Sequence, residues 1–253
     1  MAVHRSRPVS GIRRPKGKVY VTFAEAVADV PDGVSVMIGG FGGPGGMPMY
    51  LLRALRDHGC KDLTIISNTA GIGVRFAARE GDMRIDPGIL VENGQVSHVI
   101  ASFTISPMAP RPNPLEEGYK AGKVKIEINP QGILAERIRA GGAGIPAFWS
   151  SVGIGTVVEE GKEKRVINGA EYILETALKA DFSIIRAYKA DRMGNLIYKG
   201  NTRHFNVPMA TAADRTIAEV DEIVESGELD PDRIVTPGIY VDRIVARPKE
   251  KKA

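Results

Sequence analysis

The chain has 253 residues, of which 43% are hydrophobic and 25% are charged, and its formal net charge is +4. These are ordinary values for a globular protein, and they exclude disordered, collagen-like and coiled-coil classes. No apolar run approaches the roughly 18 to 20 residues that a membrane span requires. A single cysteine, Cys60, excludes an intrachain disulfide framework and a cysteine-rich metal site. We therefore expect a cytoplasmic protein that does not associate with membranes.

The positive charge is concentrated at the two ends of the chain. Residues 1–18 contain six Lys or Arg and no acid, so this segment carries +6; because the whole chain carries +4, the remainder carries −2. A slightly acidic body does not predict a phosphate-tracking surface, so we expect no nucleic-acid partner. The sequence predicts a basic arm over 1–18, a single domain over 19–245 and a basic tail over 246–253.

The first predicted elements alternate between helix and strand. Thr22 is a typical N-cap for a helix over 23–30. A short strand over 34–38 is apolar at nearly every position, as expected of a strand that is covered on both faces. A glycine-rich loop, a helix over 47–58 and a second buried strand over 62–67 follow. Strand, helix and strand within about 30 residues predict a βαβ unit and hence a parallel sheet.

The middle of the chain is less regular. We predict an irregular segment over 71–95 and an extended surface loop over 107–114, which holds four prolines. The alternating residues 124–128 predict a strand, and 132–140 predict a helix. The glycine-rich stretch 141–155 predicts a long connection without regular structure.

The last third predicts a hairpin and one more strand. A strand over 182–188, a turn over 191–195 and a strand over 196–198 have hairpin spacing. Residues 209–213 predict the beginning of a helix, and the β-branched, alternating residues 216–224 predict a strand. The whole pattern predicts an α/β fold with a mostly parallel sheet and helices on both faces.

The first candidate for chemistry is the glycine-rich run 39–48, between a buried strand and a helix. Glycines allow bare backbone N–H groups to approach an anion or a polarised carbonyl. The run lacks the lysine of a phosphate-binding loop, so on glycine count alone a simple strand-to-helix turn is an equal alternative.

Two further candidates are polar. Gln131 lies at a strand end beside Gly132, where an amide can donate to a developing oxyanion; a cap or turn glutamine is the alternative. The segments 189–195 and 203–206 combine charged and amide side chains, with a hairpin turn and a solvated basic segment as the alternative.

Several motifs recur in a fixed order along the chain. They are Asp32-Gly33, Gly39-Gly40-Phe41, Pro48, Ser67-Asn68-Thr69-Ala70-Gly71, Pro130-Gln131-Gly132, the run from Ala135 to Phe148, Glu160-Gly161-Lys162-Glu163 and Thr236-Pro237-Gly238-Ile239-Tyr240-Val241. Over residues 19–245 this set resembles the A subunit of family I 3-oxoacid CoA-transferases. The resemblance implies a CoA-transferase/ribose-phosphate-isomerase-like fold.

The resemblance also implies a mechanism and a set of site residues. Such enzymes transfer CoA between an acyl-CoA donor and a small carboxylic acid through a glutamyl-CoA thioester, and the nucleophilic glutamate lies in the partner, the B subunit. The implied assembly is a hetero-oligomer of A2B2 type, with CoA esters as substrates and no other cofactor. Gln131 would hold the thioester oxyanion, and the substrate and CoA would contact Gly39, Gly40, Phe41, Gly42, Gly43, Gly45, Gly46, Asn68, Ala70 and Gly71.

Three departures from the family pattern lie on the implied substrate side. The glycine loop holds one extra residue between Gly42 and Met47, and Thr69 stands where the family commonly has Asn. The segment 72–120 is longer than usual and rich in proline. These differences leave the exchanged acid open: acetoacetate with succinyl-CoA, 3-oxoadipate, or acetate and butyrate.

Other interpretations remain. Glu92-Asn93-Gly94 resembles the nucleophile motif of B subunits, but the residues that follow it match an A-subunit strand, and Asn-Gly is a common turn. The four histidines have no metal-ligand spacing, so we predict no metal site. A hydrolase or lyase for CoA esters on the same fold, and a non-catalytic ligand-binding protein, are the alternative functions.

Overall fold

The computed structural model describes residues 17–41, 45–71, 86–104 and 112–248. Its helices are α1 (Phe23–Val27), α2 (Met49–His58), α3 (Gly88–Glu92), α4 (Pro114–Lys120), α5 (Gln131–Ala143) and α6 (Asn206–Thr211). Its strands are β1 (Val19–Tyr20), β2 (Ser35–Ile38), β3 (Leu63–Thr69), β4 (Val96–Phe103), β5 (Lys125–Ile128), β6 (Ala147–Ser150), β7 (Lys164–Ile167), β8 (Ala170–Thr176), β9 (Ala180–Asp191), β10 (Leu196–Ile197), β11 (Ala213–Val224) and β12 (Arg243–Ala246). None of the described helices is long and apolar enough to cross a bilayer.

The large sheet has the strand order β1-β12-β11-β9-β2-β3-β4-β5, and β10 pairs with β9. Every pair along this order is parallel, and only the β9–β10 hairpin is antiparallel. The predicted βαβ unit is therefore confirmed, since β2 and β3 pair in parallel with α2 between them. A second, antiparallel sheet has the order β6-β8-β7.

Alternating side chains of the large sheet face two separate cores. Val36 and Ile38 of β2 pack with residues of α1, α2 and α3 in one hydrophobic cluster. Met37, between them, belongs to a second cluster with residues of α5 and α6. Apolar residues that point to both faces are expected of a parallel sheet that helices cover on both sides. The predicted two-sided α/β architecture is confirmed.

The helix ends follow local chemistry. Thr22 and Glu25 form a complete capping box at α1, as the sequence predicts. α1 ends at Val27, three residues before the predicted end, and Asp32 in the following turn accepts from the Lys61 N–H. At the end of α2, Gly59 has a φ of +80° and closes the helix in the left-handed conformation.

Two predicted loops contain regular structure. The helix α5 continues to Ala143, and β6 begins at Ala147. The prediction of an irregular connection over 141–155 is therefore wrong for the end of α5 and for β6. The prediction of an extended loop over 107–114 is wrong at its end, because Asn113 caps α4 with Pro114 in its first turn. Residues 107–111 of that loop lie outside the described ranges.

Candidate active site

The glycine loop follows β2, at the point where the order of the parallel strands reverses. From β2 the chain proceeds through β3 and β4 to β5 on one side, whereas β9, β11 and β12 lie on the other. Parallel sheets bind ligands at the carboxyl edge beside such a reversal. The loop after β2, the end of β3 and the start of α5 after β5 all lie at this edge.

Backbone hydrogen bonds hold the loop at both ends. The Gly39 N–H donates to the Ile184 carbonyl of β9 at 3.0 Å, and the Phe41 N–H donates to the Gly45 carbonyl at 3.0 Å. Gly40 has a φ of +105°, where a side chain would be strained. Gly42 and Gly43 of the predicted binding loop lie outside the described residues.

Close packing also requires glycine in this loop. A Cβ atom on Gly40 would lie 2.4 Å from the Met47 Cγ atom and 2.9 Å from the Met47 Cα atom. A Cβ atom on Gly39 would lie 1.8 Å from the Oδ1 atom of Asn206. The loop is thus folded tightly onto its neighbours, and its bare backbone remains at the carboxyl edge.

The first turn of α2 is already occupied by a carboxylate from within the protein. Oε2 of Glu219, on β11, accepts from the N–H groups of Tyr50 at 2.9 Å and Leu51 at 3.1 Å. Glu219 is completely buried. Burial raises the pKa of Glu219 to about 7. The two hydrogen bonds and the positive charges of Arg247 and Arg186 lower the pKa, but burial has the larger effect. These two helix N–H groups are therefore engaged within the protein.

The predicted oxyanion donor and a predicted binding residue are in direct contact. Nε2 of Gln131 donates to Oδ1 of Asn68 at 2.8 Å. Asn68 is buried at the carboxyl end of β3, and Gln131 is the half-buried first residue of α5. Asn68 accepts from one N–H of the glutamine amide, and no other described residue accepts from its second N–H, which is a suitable donor for a ligand.

Ala70 and Gly71 lie between the ends of β3 and β4. The Ala70 N–H donates to the Phe103 carbonyl at 3.2 Å, and Ala70 is completely buried. A Cβ atom on Gly71 would lie 2.6 Å from the Thr104 carbonyl oxygen. The structure gives these two residues a packing role beside Asn68, and their predicted contact with substrate stays a prediction.

The segment 203–206 packs beneath the glycine loop, so the interpretation as a solvated basic segment is wrong for its last residues. Phe205 and Asn206 are buried. The His204 ring is tilted against Phe41, with 5.2 Å between the ring centroids, and burial lowers the pKa of His204. No sequence pattern indicates that this segment meets the loop, because the contact joins residues about 160 positions apart.

Glu92 lies at the other edge of the sheet. It is an exposed residue at the end of α3. Gln95, three residues later, accepts from the N–H of Leu63, which begins β3. This places Glu92 near the amino ends of the parallel strands, away from Gln131. Among the described residues, no three His, Cys, Asp or Glu side chains are grouped as a metal site would require.

These features define a class of protein: an α/β protein with a glycine loop and an amide pair at the switch point of a parallel sheet, the place where such sheets bind ligands. The comparisons with known proteins identify the family. Residues 20–247 match the Coenzyme A transferase family, and the chain belongs to that family.

Individual relatives agree with this assignment. The chain is 48% identical to the A subunit of the 3-oxoadipate CoA-transferase of Pseudomonas putida, over 90% of this chain and 93% of that protein. It is 43% identical to the A subunit of a probable succinyl-CoA:3-ketoacid coenzyme A transferase of Bacillus subtilis, over 93% and 92% of the two chains. The resemblance inferred from the motifs is confirmed.

A solved structure shows the same fold in a longer chain. The acyl-CoA transferase of Escherichia coli O157:H7, in a thioester complex with CoA, matches 93% of this chain with a TM-score of 0.78 and 25% identity. The match covers 48% of the E. coli chain, so this chain spans about half the length of that transferase.

Proposed function

We propose that this chain is the A subunit of a two-subunit CoA-transferase. The enzyme moves CoA from a donor such as succinyl-CoA or acetyl-CoA to a small carboxylic acid, a 3-oxo acid in particular. The observation that carries the proposal is the Gln131–Asn68 pair at the carboxyl edge. It supports the proposal because an amide N–H at this edge is a suitable donor to a thioester oxygen. Two relatives are named for transfer to 3-oxoadipate and to 3-ketoacids, and these names support a 3-oxo acid as the acceptor.

In this proposal the chain provides a binding surface and the partner provides the nucleophile. Glu219, the buried carboxylate behind the glycine loop, is engaged by two helix N–H groups. We infer that a glutamate of the B subunit attacks the donor thioester, forming an acyl-glutamyl anhydride and releasing CoA thiolate. The thiolate then attacks the glutamyl carbonyl of the anhydride, which releases the donor acid and leaves a glutamyl-CoA thioester. The acceptor carboxylate reacts with this thioester by the same two steps in reverse, which yields the acceptor's CoA ester and frees the glutamate. Covalent catalysis divides one difficult exchange into easier steps.

Each site residue has a role in this scheme. The second N–H of Gln131 donates to the thioester oxygen as negative charge develops there, and Asn68 keeps the amide in position. The loop from Gly39 to Gly46 forms a wall of the acyl pocket. The working form is a cytoplasmic hetero-oligomer of A2B2 type, and coenzyme A enters as substrate, with no other cofactor.

Co-expression with the glutamate-bearing partner tests the proposal. The purified pair should exchange CoA only when an acceptor acid is present. With the acyl-CoA donor bound, borohydride should inactivate the pair by reducing the glutamyl-CoA thioester on the partner, which releases CoA. This chain alone should show no exchange. Full exchange by the isolated chain would contradict the two-subunit scheme.

The same assay separates the alternatives and identifies the acids. CoA release without any acceptor would indicate a hydrolase, which no contact in the described residues favours. A panel of succinyl-CoA and acetyl-CoA donors with acetoacetate, 3-oxoadipate, acetate and butyrate as acceptors should show the highest kcat/KM for a 3-oxo acid.

A further inference from the structure

The segment 200–206, which follows β10, forms the floor of the glycine loop. A Cβ atom on Gly46 would lie 2.1 Å from the carbonyl oxygen of Asn201 and 3.0 Å from Cε1 of His204. On the other side of the loop, Phe41 meets the rings of His204 and Phe205. The described parts of the loop, 39–41 and 45–46, are therefore in close contact with this floor.

One side chain of this floor joins three parts of the site. Asn206 is completely buried. Its Oδ1 accepts from the Arg186 N–H of β9 at 2.9 Å. Its Nδ2 donates to the carbonyl oxygens of Gly46 at 2.8 Å and Thr202 at 3.0 Å. Both amide N–H groups and the carbonyl of the side chain are thus engaged.

The position of Asn206 matters because six of the eight residues from Gly39 to Gly46 are glycines. Glycine loses more conformational freedom on ordering than any other residue. Asn206 contacts the loop at its start, through the Cα atom of Gly39, and binds it near its end, through the carbonyl of Gly46. These buried amide hydrogen bonds keep the loop in one conformation, because any other conformation would leave a buried donor or acceptor unpaired at a cost in free energy.

We infer that Asn206 is a positioning residue of the transfer reaction. It fixes the glycine loop in the conformation that its bare backbone presents to the acyl group, without itself reaching the substrate. The inference rests on the proposed function and adds to it a residue that lies about 160 positions from the loop it orients.

The test uses the co-purified pair of subunits and two substitutions. In Asn206→Ala, the loop loses its partner at Gly46, and we expect kcat per active site to fall by about 10- to 100-fold. The KM for the acyl-CoA donor should change less than about threefold, because the pocket walls remain. The active sites are counted by borohydride reduction of the glutamyl-CoA thioester. A purely structural role of Asn206 would reduce the number of active sites, whereas a positioning role lowers kcat per active site.

Asn206→Asp adds a readout that depends on the hydrogen bond itself. The ionised carboxylate has no proton to donate and faces the carbonyls of Gly46 and Thr202, whereas the protonated acid can donate one hydrogen bond. The ratio of variant to wild-type kcat should therefore rise as the pH falls. A ratio that does not change with pH would contradict the inference.

Asn195→Ala is the matched control. Asn195 is also a bridging amide, which accepts from the Gly238 N–H at 2.7 Å and donates to Asp191 at 2.7 Å. We expect its kcat per active site to stay within about twofold of wild type. Equal losses in both alanine variants, or failure of both Asn206 variants to assemble, would assign Asn206 to the fold and overturn the inference. A wild-type pair without exchange would instead contradict the proposed function.

Discussion

At the scale of single residues, the two amides of the site have separate tasks. Asn68 is buried and orients its neighbour, whereas Gln131 is half-buried at the start of a helix. Loss of one oxyanion donor typically costs about 2.7–4 kcal/mol in the transition state. We therefore expect Gln131→Ala to reduce kcat of the reconstituted enzyme by about 100- to 1000-fold, measured under saturating donor and acceptor.

Gln131→Glu separates the donor from the shape of the side chain. The variant keeps the length of the residue and gains a carboxylate that is favourable in the first turn of a helix. It loses the hydrogen bond to Oδ1 of Asn68, so the thermal midpoint should fall, as it should in Gln131→Ala. Because a carboxylate cannot donate, its kcat should fall at least as far as that of Gln131→Ala. Near-normal turnover of this variant would remove Gln131 from the oxyanion site.

The pKa of Glu219 gives a prediction on stability. Burial raises it from the ordinary value of 4.5 to about 7, so between these values the native state holds a proton that the unfolded chain has released. Stability must then fall as the pH rises from about 4.5 to about 7. Relative to Glu219→Gln, which does not titrate, wild type should lose about 3 kcal/mol of unfolding free energy across this range.

Urea unfolding of wild type and Glu219→Gln between pH 4.5 and 8 measures this difference. The amide retains an oxygen for the N–H groups of Tyr50 and Leu51, so both proteins should fold. Above about pH 7 the difference should become constant. If wild type instead gained stability relative to the variant as the pH rose, the ion pair with Arg247 would outweigh burial.

At the scale of elements, the glycine loop can be compared with an ordinary turn. Gly46 and Gly33 have nearly equal φ angles of +75° and +74°, but a Cβ atom on Gly33 would meet no atom within 4 Å. Gly33→Ala should therefore cost only the strain of the left-handed conformation, about 1–2 kcal/mol. Gly46→Ala adds a clash with the backbone of Asn201, so it should cost more stability.

We expect the same two variants to differ in activity as well. Gly33→Ala should leave kcat of the folded enzyme unchanged, whereas Gly46→Ala should lower it, because the loop must move away from its floor. Thermal midpoints and kcat of both variants, each paired with the partner, provide the measurement. An equal loss of activity in the two would mean that the loop conformation does not matter for transfer.

The sequence predicts those elements whose own residues determine them. The strands β2 and β3 are apolar on both faces, and the capping box at Thr22 is local. The end of α5 could not be predicted from the sequence. Gly141 lies inside the helix because the backbone of Leu178 approaches it closely. A Cβ atom there would lie 2.0 Å from the carbonyl oxygen of Leu178, a contact made only after folding.

Some residues of the candidate site could likewise be predicted from the sequence, whereas the contacts between them could not. The family resemblance indicated both Gln131 and Asn68, but no sequence pattern shows that they touch across 63 positions. Asn206 lies in the polar segment 203–206 that the sequence indicated as a candidate, but no pattern shows that it meets the glycine loop. Glu219 carried no signal, because the predicted pattern of its strand accounts for it and only the packing of β11 against the start of α2 shows its contacts.

At the scale of the whole molecule, the helix α5 connects the two sheets. Arg137, on its buried side, donates to Glu127 and Asn129 at the end of β5. It also donates to the carbonyl oxygen of Thr176, at the end of β8, at 2.7 Å. The same helix begins with Gln131, so the link between the sheets also supports the site. We expect residues 19–245 to unfold in one cooperative transition, as a single domain would.

Arg137→Met tests this link, and Arg139→Met on the same helix is its control. The methionine keeps the apolar stem of Arg137 but leaves several polar partners unpaired, which should cost about 2–3 kcal/mol and lower the thermal midpoint by about 5–10 °C. Arg139 is exposed and pairs only with Glu136 among the ion pairs of the described residues, so its replacement should stay within about 0.5 kcal/mol. Scanning calorimetry measures both. Two separate transitions in wild type, or equal shifts in the two variants, would show that Arg137 does not join the sheets into one folding unit.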